Sequence, residues 1–361
     1  MSVSSRDEGP TAHRVAVIAG DGVGREVVPA ALPVIAAAAT TEGVTLDFTE
    51  LPWGCDYHAA YGEMMPVDGL ETLTGFDAIL LGAIGSPSLA DHVAVWGLIL
   101  PIRQAFDQWV NLRPMRLLPG VETPLAGRSP AEIDMVCVRE NSEGEYCGAG
   151  RRDGEGTPDE TAEETARFSR AGVERIARFA CELAAERPPR LLASATKSNA
   201  LRHSMTLWDD VVGEVAGGYP EVTLNRYHVD ALAARMVTHP ETLDVIVASN
   251  LFGDILTDLG AAISGSLGLA PSGNLNPERR YPSMFEPIHG SAPDIAGRGI
   301  ANPIGAVWAG AMMLDHLGER SAHDRLVGAI ERVLAGRTVR TPDLGGESSC
   351  EELAAAIGEA L

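Results

Sequence analysis

Short hydrophobic runs rich in β-branched residues alternate along this chain with longer stretches whose apolar residues recur at helical spacing. The short runs predict strands, because a strand buried on both faces is a brief and nearly continuous apolar segment. The predicted strands cover residues 14–19, 44–50, 77–81, 133–139, 190–195, 222–228 and 243–248. The longer stretches predict helices over residues 24–39, 170–186, 201–216, 251–264, 303–317 and 322–334. Strands that alternate with helices predict an α/β sheet architecture.

Two glycine-rich segments interrupt this pattern. Residues 144–159 are rich in glycine and charge and poor in hydrophobic residues, which predicts a loop or an extended arm, near residues 144–165, that reaches a partner subunit. Gly20, Gly22 and Gly24 follow the first predicted strand with the spacing G-x-G-x-G, whereas a dinucleotide fingerprint has G-x-G-x-x-G. We interpret this second segment as a tight strand-to-helix turn that uses the permissive backbone of glycine.

Length and charge restrict the possible partners. The 361 residues suffice for one large domain or two ordinary ones. The net charge of −22 argues against binding to nucleic acid or to an anionic membrane, whose phosphates would repel this surface. A small anionic substrate remains compatible, because a local arginine cluster can override the overall field.

The cysteines and the apolar runs indicate in which cellular compartment the protein is expected. The five cysteines are scattered and include no CxxC pair, so neither a disulfide framework nor a zinc site is predicted. Residues 1–9 are polar and lack the features of a secretory signal. No apolar run reaches the length of about 18 residues expected of a membrane span. A cytoplasmic protein is expected.

Of the 28 lysine and arginine residues, only Lys197 is a lysine. Arginine does not release its proton in a protein, whereas burial or a neighbouring cation can drive a lysine amine toward neutrality and make it a base. Lys197 is therefore a candidate base. The alternative is that one lysine survived by chance at the surface.

A set of aspartates suggests a metal site. Asp254 and Asp258 are four residues apart in a predicted helix and so share one face. Their repulsion would be relieved by a hard divalent cation with oxygen ligands, and Asp230 at the end of another predicted strand would supply a third carboxylate. The alternative is two solvated aspartates on an exposed face.

Arginines form a second set. The planar guanidinium suits bidentate binding of a carboxylate, and the candidates are Arg103, Arg113 and Arg139. Each alone could be a surface ion pair, but Arg139 ends an apolar strand, where sites of α/β proteins tend to lie. Tyr146 follows seven residues later, and its hydroxyl becomes a candidate only beside the arginines and the lysine.

The segment 284–297 carries backbone and hydroxyl donors suited to phosphate. His289, Gly290, Ser291 and Ala292 supply these donors. Asp294 would bind the two hydroxyls of an adenosine ribose and repel a 2′-phosphate, which favours NAD over NADP. The alternative is an ordinary loop of proline and glycine with a histidine.

Taken together, these segments resemble the β-decarboxylating dehydrogenases, the family of isopropylmalate, isocitrate, tartrate and D-malate dehydrogenases. The resemblance runs from about residue 15 to residue 318. It includes GDGVGREV, NLRP, RENSEGEY, ATKSNA, SNLFGDILTDL, NLNPERRYPSMFEPIHGSAPDIAG and GIANPIGAVWAGAMML.

The resemblance implies an isopropylmalate/isocitrate dehydrogenase-like two-domain α/β fold that is not a Rossmann fold. Residues 1–109 and 266–361 would form a cofactor-binding domain from both chain ends, and residues 110–265 would form a central domain for dimerisation, metal and substrate. It also implies a homodimer with shared active sites, in which Lys197 and Asp230 come from the neighbouring subunit.

The resemblance further implies a role for each candidate. Arg103, Arg113 and Arg139 would bind substrate carboxylates, and Tyr146 and Lys197 would be the acid/base pair. Mg²⁺ or Mn²⁺ would be bound by Asp230, Asp254 and Asp258, while a monovalent cation remains possible. The residues implied in NAD binding are Glu286, His289, Gly290, Ser291, Ala292, Asp294, Asn302 and Asn199.

The implied reaction is oxidative decarboxylation of a small anionic 2-hydroxy diacid. Lys197 would take the hydroxyl proton while hydride moves to NAD⁺, the 3-carboxy-2-keto acid would lose CO₂, and Tyr146 would deliver a proton to C3.

The substrate is expected to be set by the segment before Arg103. Trp96 stands where isopropylmalate enzymes present a glutamate, Gly97 stands where isocitrate enzymes carry a serine, and Ile99 and Leu100 stay apolar. The bulk of Trp96 predicts a small pocket and favours D-malate or tartrate. Pro101 departs from the pattern and is expected to alter the start of this helix or the shape of the pocket.

Other functions stay open at this stage. A 3-isopropylmalate dehydrogenase, or a specialised biosynthetic dehydrogenase for another 3-substituted malate, would use the same residues. A non-catalytic regulatory homologue would have lost a metal aspartate, the tyrosine or the lysine, and all of these are present. A metal-dependent hydrolase would use the aspartates without producing NADH.

Overall fold

The structure is a computed structural model that describes residues 11–361, so the segment 1–9 inspected for a secretory signal lies outside the described residues. The strands are β1 (Ala12–Gly20), β2 (Thr45–Glu50), β3 (Ala78–Ala83), β4 (Val110–Arg116), β5 (Asp134–Glu140), β6 (Gly144–Asp153), β7 (Thr161–Arg167), β8 (Leu191–Thr196), β9 (Thr223–His228), β10 (Val245–Ala248), β11 (Pro271–Leu275) and β12 (Ser283–Pro287). The helices are α1 (Gly24–Thr41), α2 (Cys55–Tyr61), α3 (Gly69–Leu73), α4 (Asp91–Ala94), α5 (Leu100–Ala105), α6 (Arg170–Glu186), α7 (Ser204–Ala216), α8 (Val229–Thr238), α9 (Asn250–Ile263), α10 (Ile304–Leu317), α11 (Arg320–Gly336) and α12 (Cys350–Glu359). A π-helical turn (Val95–Ile99) lies between α4 and α5.

Each strand and helix predicted from the pattern has a counterpart, and the prediction of an α/β architecture is confirmed. The strands β4, β11 and β12 were not predicted. In β11 the sequence PSGNL carries no run of branched apolar residues, yet all five residues are buried. Its polar side chains are satisfied inside the sheet, because the Asn111 amide donates to Ser272 Oγ at 2.7 Å and to Asn274 Oδ1 at 2.9 Å. A hydrophobic pattern cannot reveal a strand that is buried through paired amides.

The chain forms two compact units. One combines the chain up to Ile102 with Arg279–Leu361, and the other is Arg103–Glu278. The central unit therefore extends beyond the predicted range 110–265 at both ends. Antiparallel pairing of β11 with β4 holds the C-terminal extension, and the Trp109 indole donates to Glu278 at 3.2 Å.

In the first unit, four parallel strands have the order β2-β1-β3-β12. The helices α1, α10, α11 and α12 pack together beside them. Helix α10 is almost wholly apolar, and its Gly310 leaves space for Ile35 of α1, since a Cβ there would lie 2.2 Å from Ile35 Cδ1. This small-residue contact lets the two helices approach closely.

In the central unit, six strands have the order β11-β4-β5-β10-β8-β9. Strand β4 is antiparallel to both of its neighbours, and β5, β10, β8 and β9 are parallel. Helix α9 follows β10 and packs on β4 and β5. Because α9 begins directly after β10 and packs on β4 and β5, its first turns lie beside Arg139 near the end of β5 and Arg113 in the middle of β4.

The segment predicted as a loop or extended arm is a two-stranded antiparallel hairpin of β6 and β7. Every residue of β7 is exposed. Low hydrophobicity concealed these strands, because most of the hairpin is exposed and only the start of β6 packs against α9. No helix in residues 11–361 is both long and apolar enough to cross a membrane.

Candidate active site

The site in the central unit is built around the guanidinium of Arg139. Arg139 lies near the end of β5, and its side chain is 2% exposed. Its Nε and Nη2 donate to Asn250 Oδ1 at 3.1 and 2.8 Å, and its Nη1 donates to Asp254. Burial, with the neighbouring charge of Arg113, lowers the pKa of Arg139 to about 10, so it remains a cation at neutral pH.

Arg113 approaches the same helix from β4. Its Nη1 donates to Thr257 Oγ1 at 2.7 Å and lies 3.4 Å from Asp254 Oδ1 and 4.0 Å from Asp258 Oδ1. Burial alone would raise the pKa of Asp254, but the positive charges of Arg139 and Arg113 outweigh burial and lower it. At Asp258, partial desolvation and the negative charge of Asp254 together outweigh the arginines and raise the pKa, although the side chain is still open to solvent. One turn of α9 thus presents two carboxylates to the arginines. The four-residue spacing of the aspartates predicted their shared face but not these cations.

Tyr146 joins this cluster from β6. Its hydroxyl donates to Asp254 Oδ2 at 3.1 Å, and the Arg139 guanidinium lies 5.7 Å from the centre of its ring. Burial and then the negative charge of Asp254 raise the pKa of the Tyr146 hydroxyl. The hydroxyl is therefore protonated at neutral pH, as a proton donor must be.

Lys197 and Asp230 form a separate pair. Lys197 follows β8, Asp230 lies in the first turn of α8, and Lys197 Nζ is 2.6 Å from Asp230 Oδ1. The hydrogen bond from Lys197 lowers the pKa of Asp230. Within residues 11–361, no three His, Cys, Asp or Glu side chains of one chain come together as a metal site. A single chain therefore does not join Asp230 to Asp254 and Asp258, and the expectation that it comes from a neighbouring subunit stays a prediction.

Arg103 lies in α5 at the start of the central unit. Its positive charge reaches the cluster, where it contributes to lowering the pKa of both Arg139 and Asp254. The structure thus brings Arg103, Arg113, Arg139, Tyr146, Asp254 and Asp258 into one electrostatic group.

The predicted specificity residues lie on the helical run before Arg103. Trp96 is 46% exposed on the π-helical turn, whereas Leu100 is buried and Ile99 is partly buried. Pro101 has no N–H to donate to the carbonyl of Gly97, and its ring would clash with that carbonyl in a regular α-helix. The helix is wider here, because the Leu100 N–H donates to the carbonyl of Val95, five residues earlier. The departure noted at Pro101 is thus a local widening of the helix.

In the first unit, the turn after β1 supports the predicted cofactor segment. Gly22 has φ +52°, and a Cβ there would lie 2.0 Å from the carbonyl oxygen of Ser291, which also accepts from the N–H of Val23 at 2.9 Å. The Glu26 carboxylate accepts from the N–H of Gly297 and, at 2.8 Å, from that of Gly299. The glycines therefore serve a tight turn and a close backbone approach, in agreement with our interpretation of this segment.

The remaining cofactor candidates differ in their surroundings. His289 Nδ1 bonds to the carbonyl of Gly290 at 3.0 Å, its Nε2 is buried without a hydrogen-bond partner, and burial lowers its pKa. A Cβ on Gly290 would meet nothing within 4 Å, so its backbone is open to a ligand. Ala292 has φ +41°, and Glu286 is 7% exposed in β12. Asp294 and Asn199 are exposed.

Asn302 already has partners in its own unit. Its Nδ2 donates to Asp343 at 3.0 Å, and its Oδ1 accepts from the N–H of Ile304 at the start of α10. In this structure Asn302 therefore caps a helix, which the sequence prediction of cofactor binding did not anticipate.

Three residues that sequence reasoning missed complete the cluster. Asn250 holds two nitrogens of Arg139, Thr257 accepts from Arg113, and Glu145 accepts from Ser249 Oγ at 3.1 Å and from the N–H of Leu251 at 3.2 Å. Asn250 and Thr257 lie on the same face of α9 as Asp254. That spacing was the available signal for both.

Comparison with known proteins defines the class. The family model for isocitrate/isopropylmalate dehydrogenases matches residues 14–357, and the chain belongs to this family. It is 52% identical to the D-malate dehydrogenase (decarboxylating) of Escherichia coli strain K12 over 351 aligned residues. The alignment covers 95% of this chain and 97% of that protein. It is 51% identical over 350 residues to a probable tartrate dehydrogenase/decarboxylase of Agrobacterium vitis, which covers 97% of this chain and 98% of the relative.

Solved structures support the same family assignment. The isocitrate dehydrogenase of Methylococcus capsulatus superposes with a TM-score of 0.87 at 34% identity, covering 96% of this chain and 99% of that one. The predicted isopropylmalate/isocitrate dehydrogenase-like fold and the prediction of a decarboxylating dehydrogenase are therefore confirmed. Dehydrogenases of this family generally use NAD and a divalent metal ion.

Proposed function

We propose that this protein is an NAD- and divalent-metal-dependent dehydrogenase that oxidatively decarboxylates a small 2-hydroxy diacid, most specifically D-malate or tartrate. The observation that carries the proposal is the contact of Arg139, Arg113 and Tyr146 with the single carboxylate of Asp254. Two fixed cations next to a protonated hydroxyl suit an anionic substrate that must receive a proton.

The aspartates suit a hard cation. Asp254 and Asp258 are carboxylates one helical turn apart, and the Asp258 side chain is 64% exposed, so it is accessible to an ion. Two such ligands do not fill the coordination sphere of Mg²⁺ or Mn²⁺. The remaining positions would be taken by Asp230 of a second copy, by substrate oxygens and by water.

The first unit suits NAD. The buried, unpartnered Nε2 of His289 and the open backbone at Gly290 are groups that a dinucleotide would satisfy. The exposed carboxylate of Asp294 suits a ribose diol and opposes a 2′-phosphate.

The chemistry of this chain's residues follows from their charges. When bound, the metal ion would lower the pKa of the substrate's C2 hydroxyl, and NAD⁺ would accept the hydride from C2. Arg113 and Arg139 would bind the substrate carboxylates. Lys197 would take the proton of the C2 hydroxyl, and after CO₂ leaves, Tyr146 would give a proton to C3.

The choice of substrate rests on two observations. The relatives at about half identity are named tartrate dehydrogenase/decarboxylase and D-malate dehydrogenase (decarboxylating). Trp96 is 46% exposed on the π-helical turn that leads into the helix carrying Arg103, and its bulk would oppose a large C3 substituent such as isopropyl.

The experiment is NADH formation at 340 nm with Mn²⁺, comparing D-malate, L-tartrate, meso-tartrate, 3-isopropylmalate and isocitrate. We expect turnover of D-malate or a tartrate in the wild type and its loss in Lys197→Arg, since arginine keeps the charge but not the titratable amine. Turnover of 3-isopropylmalate alone would refute the argument from Trp96. Absence of NADH with every one of these diacids would refute D-malate and tartrate as the substrates and leave a dehydrogenase for another 3-substituted malate or a non-catalytic homologue.

We further propose a homodimer that shares its active sites. It is supported by the isolation of the Lys197–Asp230 pair from the Asp254 cluster within one chain. Mixing inactive Lys197→Arg and Asp254→Asn proteins under subunit exchange would restore activity, because each mixed dimer would contain one intact site. A mixture that stays inactive while forming mixed dimers would refute shared sites.

A further inference from the structure

The backbone around Tyr146 lacks regular strand pairing within its hairpin, where the neighbouring contact is the Cys147 thiol donating to the Thr165 carbonyl at 2.8 Å. Gly144 pairs with Arg167, and the next pair is Ala149 with Thr165, so residues 145–148 lie opposite the single residue Ala166. A bulge of this kind leaves residues without regular ladder bonds and redirects their side chains. The positive φ of +82° at Gly144 begins the irregular stretch. Something other than strand pairing must fix the position of Tyr146.

The carboxylate of Glu145 supplies a bridge from this bulge to helix α9. One oxygen accepts from Ser249 Oγ at 3.1 Å, and the other accepts from the N–H of Leu251 at 3.2 Å. Ser249 is the residue before the helix, and its hydroxyl also accepts from the N–H of Phe252. A carboxylate in this place satisfies an N–H that the helix leaves unpaired, and it is further stabilised by the helix dipole.

The two ends of this bridge carry reacting groups. Glu145 is the neighbour of Tyr146, and α9 carries Asp254, whose Oδ2 accepts from the Tyr146 hydroxyl at 3.1 Å. Asp254 is also among the carboxylates proposed to hold the metal, so its bond to Tyr146 must change when ligands bind. The hydrogen bonds that Glu145 accepts come from Ser249 and Leu251, neither of which is assigned to substrate, metal or cofactor, so they need not change when ligands bind.

We propose that Glu145 is a positioning residue that fixes Tyr146 against α9 by anchoring the bulge to the N-terminus of that helix. The inference rests on the proposed function of Tyr146 as the proton donor. Glu145 itself acts only through Tyr146.

A double-mutant cycle tests this dependence. In the wild-type background, Glu145→Ala should lower kcat for D-malate at least tenfold and change KM less than threefold, because Arg113 and Arg139 keep their partners. In a Tyr146→Phe background the same substitution should change kcat less than twofold. Glu145→Gln keeps one acceptor oxygen and should fall between wild type and Glu145→Ala. Equal losses in both backgrounds would refute positioning through Tyr146.

A second measurement does not depend on activity. With 3-fluorotyrosine at the six tyrosines, the ¹⁹F resonance of Tyr146, assigned by its absence in Tyr146→Phe, should shift and broaden in Glu145→Ala. The matched control is Glu163→Ala in the same hairpin, whose exposed carboxylate pairs with Arg151 at 2.9 Å and should leave the resonance unchanged. An unmoved Tyr146 resonance in Glu145→Ala would overturn the inference. A wild type without dehydrogenase activity would instead overturn the proposed function, while the resonance would still decide the position of Tyr146.

Discussion

Replacing Gly253 by alanine tests whether the backbone of α9 is placed to admit Arg139. A Cβ at position 253 would lie 2.6 Å from Cγ, 2.7 Å from Cβ and 3.1 Å from Cδ of Arg139. Carbon atoms at optimal contact are about 3.5–4.0 Å apart, so the arginine side chain or the helix must move. Arg139 is 2% exposed and bonded through three nitrogens, which leaves it little room to do so.

The sign of the effect follows from two opposing contributions. Alanine in a helix is favoured over glycine by about 1 kcal/mol. Overpacking a buried site costs about 1–3 kcal/mol, and each charge-assisted hydrogen bond that Arg139 loses costs about 1.5–3 kcal/mol. If one bond of Arg139 is lost, we therefore expect Gly253→Ala to be destabilised by about 1.5–5 kcal/mol. KM for the diacid should rise about tenfold, the ratio that 1.4 kcal/mol of lost binding produces.

The assay is urea denaturation together with steady-state kinetics. Gly358→Ala in α12 is the matched control, because the nearest atom to its Cβ is Val34 Cγ2 at 3.9 Å, an ordinary contact. The control should gain up to about 1 kcal/mol and keep its KM. A Gly253→Ala protein with wild-type stability and KM would refute the close packing of α9 on Arg139.

Three further predictions concern the first unit and the metal. Gly22→Ala should raise KM for NAD more than KM for the diacid, because its Cβ would lie 2.0 Å from the Ser291 carbonyl and displace the cofactor segment; equal changes in both KM values would contradict this. Burial lowers the pKa of His316 from 6.5 to about 4. Between pH 6.5 and pH 4 the unfolded chain therefore binds more protons than the folded chain. The free energy of unfolding should fall over that range by up to about 3 kcal/mol as the pH is lowered. In thermal melts over that pH range, the melting temperature of His316→Gln should fall less than that of the wild type. Equal falls in the two proteins would contradict this prediction. Chelation by EDTA should abolish NADH formation and Mn²⁺ should restore it; activity that survives EDTA would argue against the aspartate metal site.

The sequence predicted most of the sheet and the site because both follow from period and spacing. The branched apolar runs of β5 and β10 marked strands buried on both faces, and the four-residue spacing of Asp254 and Asp258 predicted that they share one face of a helix, which the structure places beside Arg113. Arg139 was a candidate for the same kind of reason, because it ends a predicted apolar strand.

The parts that escaped prediction depend on contacts between distant residues. Strand β11 is buried through the amide pairing of Asn111 with Asn274, and a linear pattern carries no trace of it. The exposed hairpin of β6 and β7 has no apolar face to mark it. Glu145 lies beside Tyr146 in the sequence, but its role depends on the start of a helix about a hundred residues later, which only the folded chain brings close.

Asp254 has a consequence for how such an enzyme can diverge. The same carboxylate contacts Arg139, lies near Arg113 and accepts from Tyr146, so a substitution there would disturb anion binding, proton delivery and the proposed metal ligand together. Natural variation toward new diacids is therefore expected to leave α9 unchanged and to accumulate on the π-helical turn from Val95 to Ile99, which carries Trp96 and none of the arginines or acid/base residues. If Trp96 selects the substrate as proposed, chemistry and selectivity are encoded in separate segments of the gene, and each can evolve at its own rate.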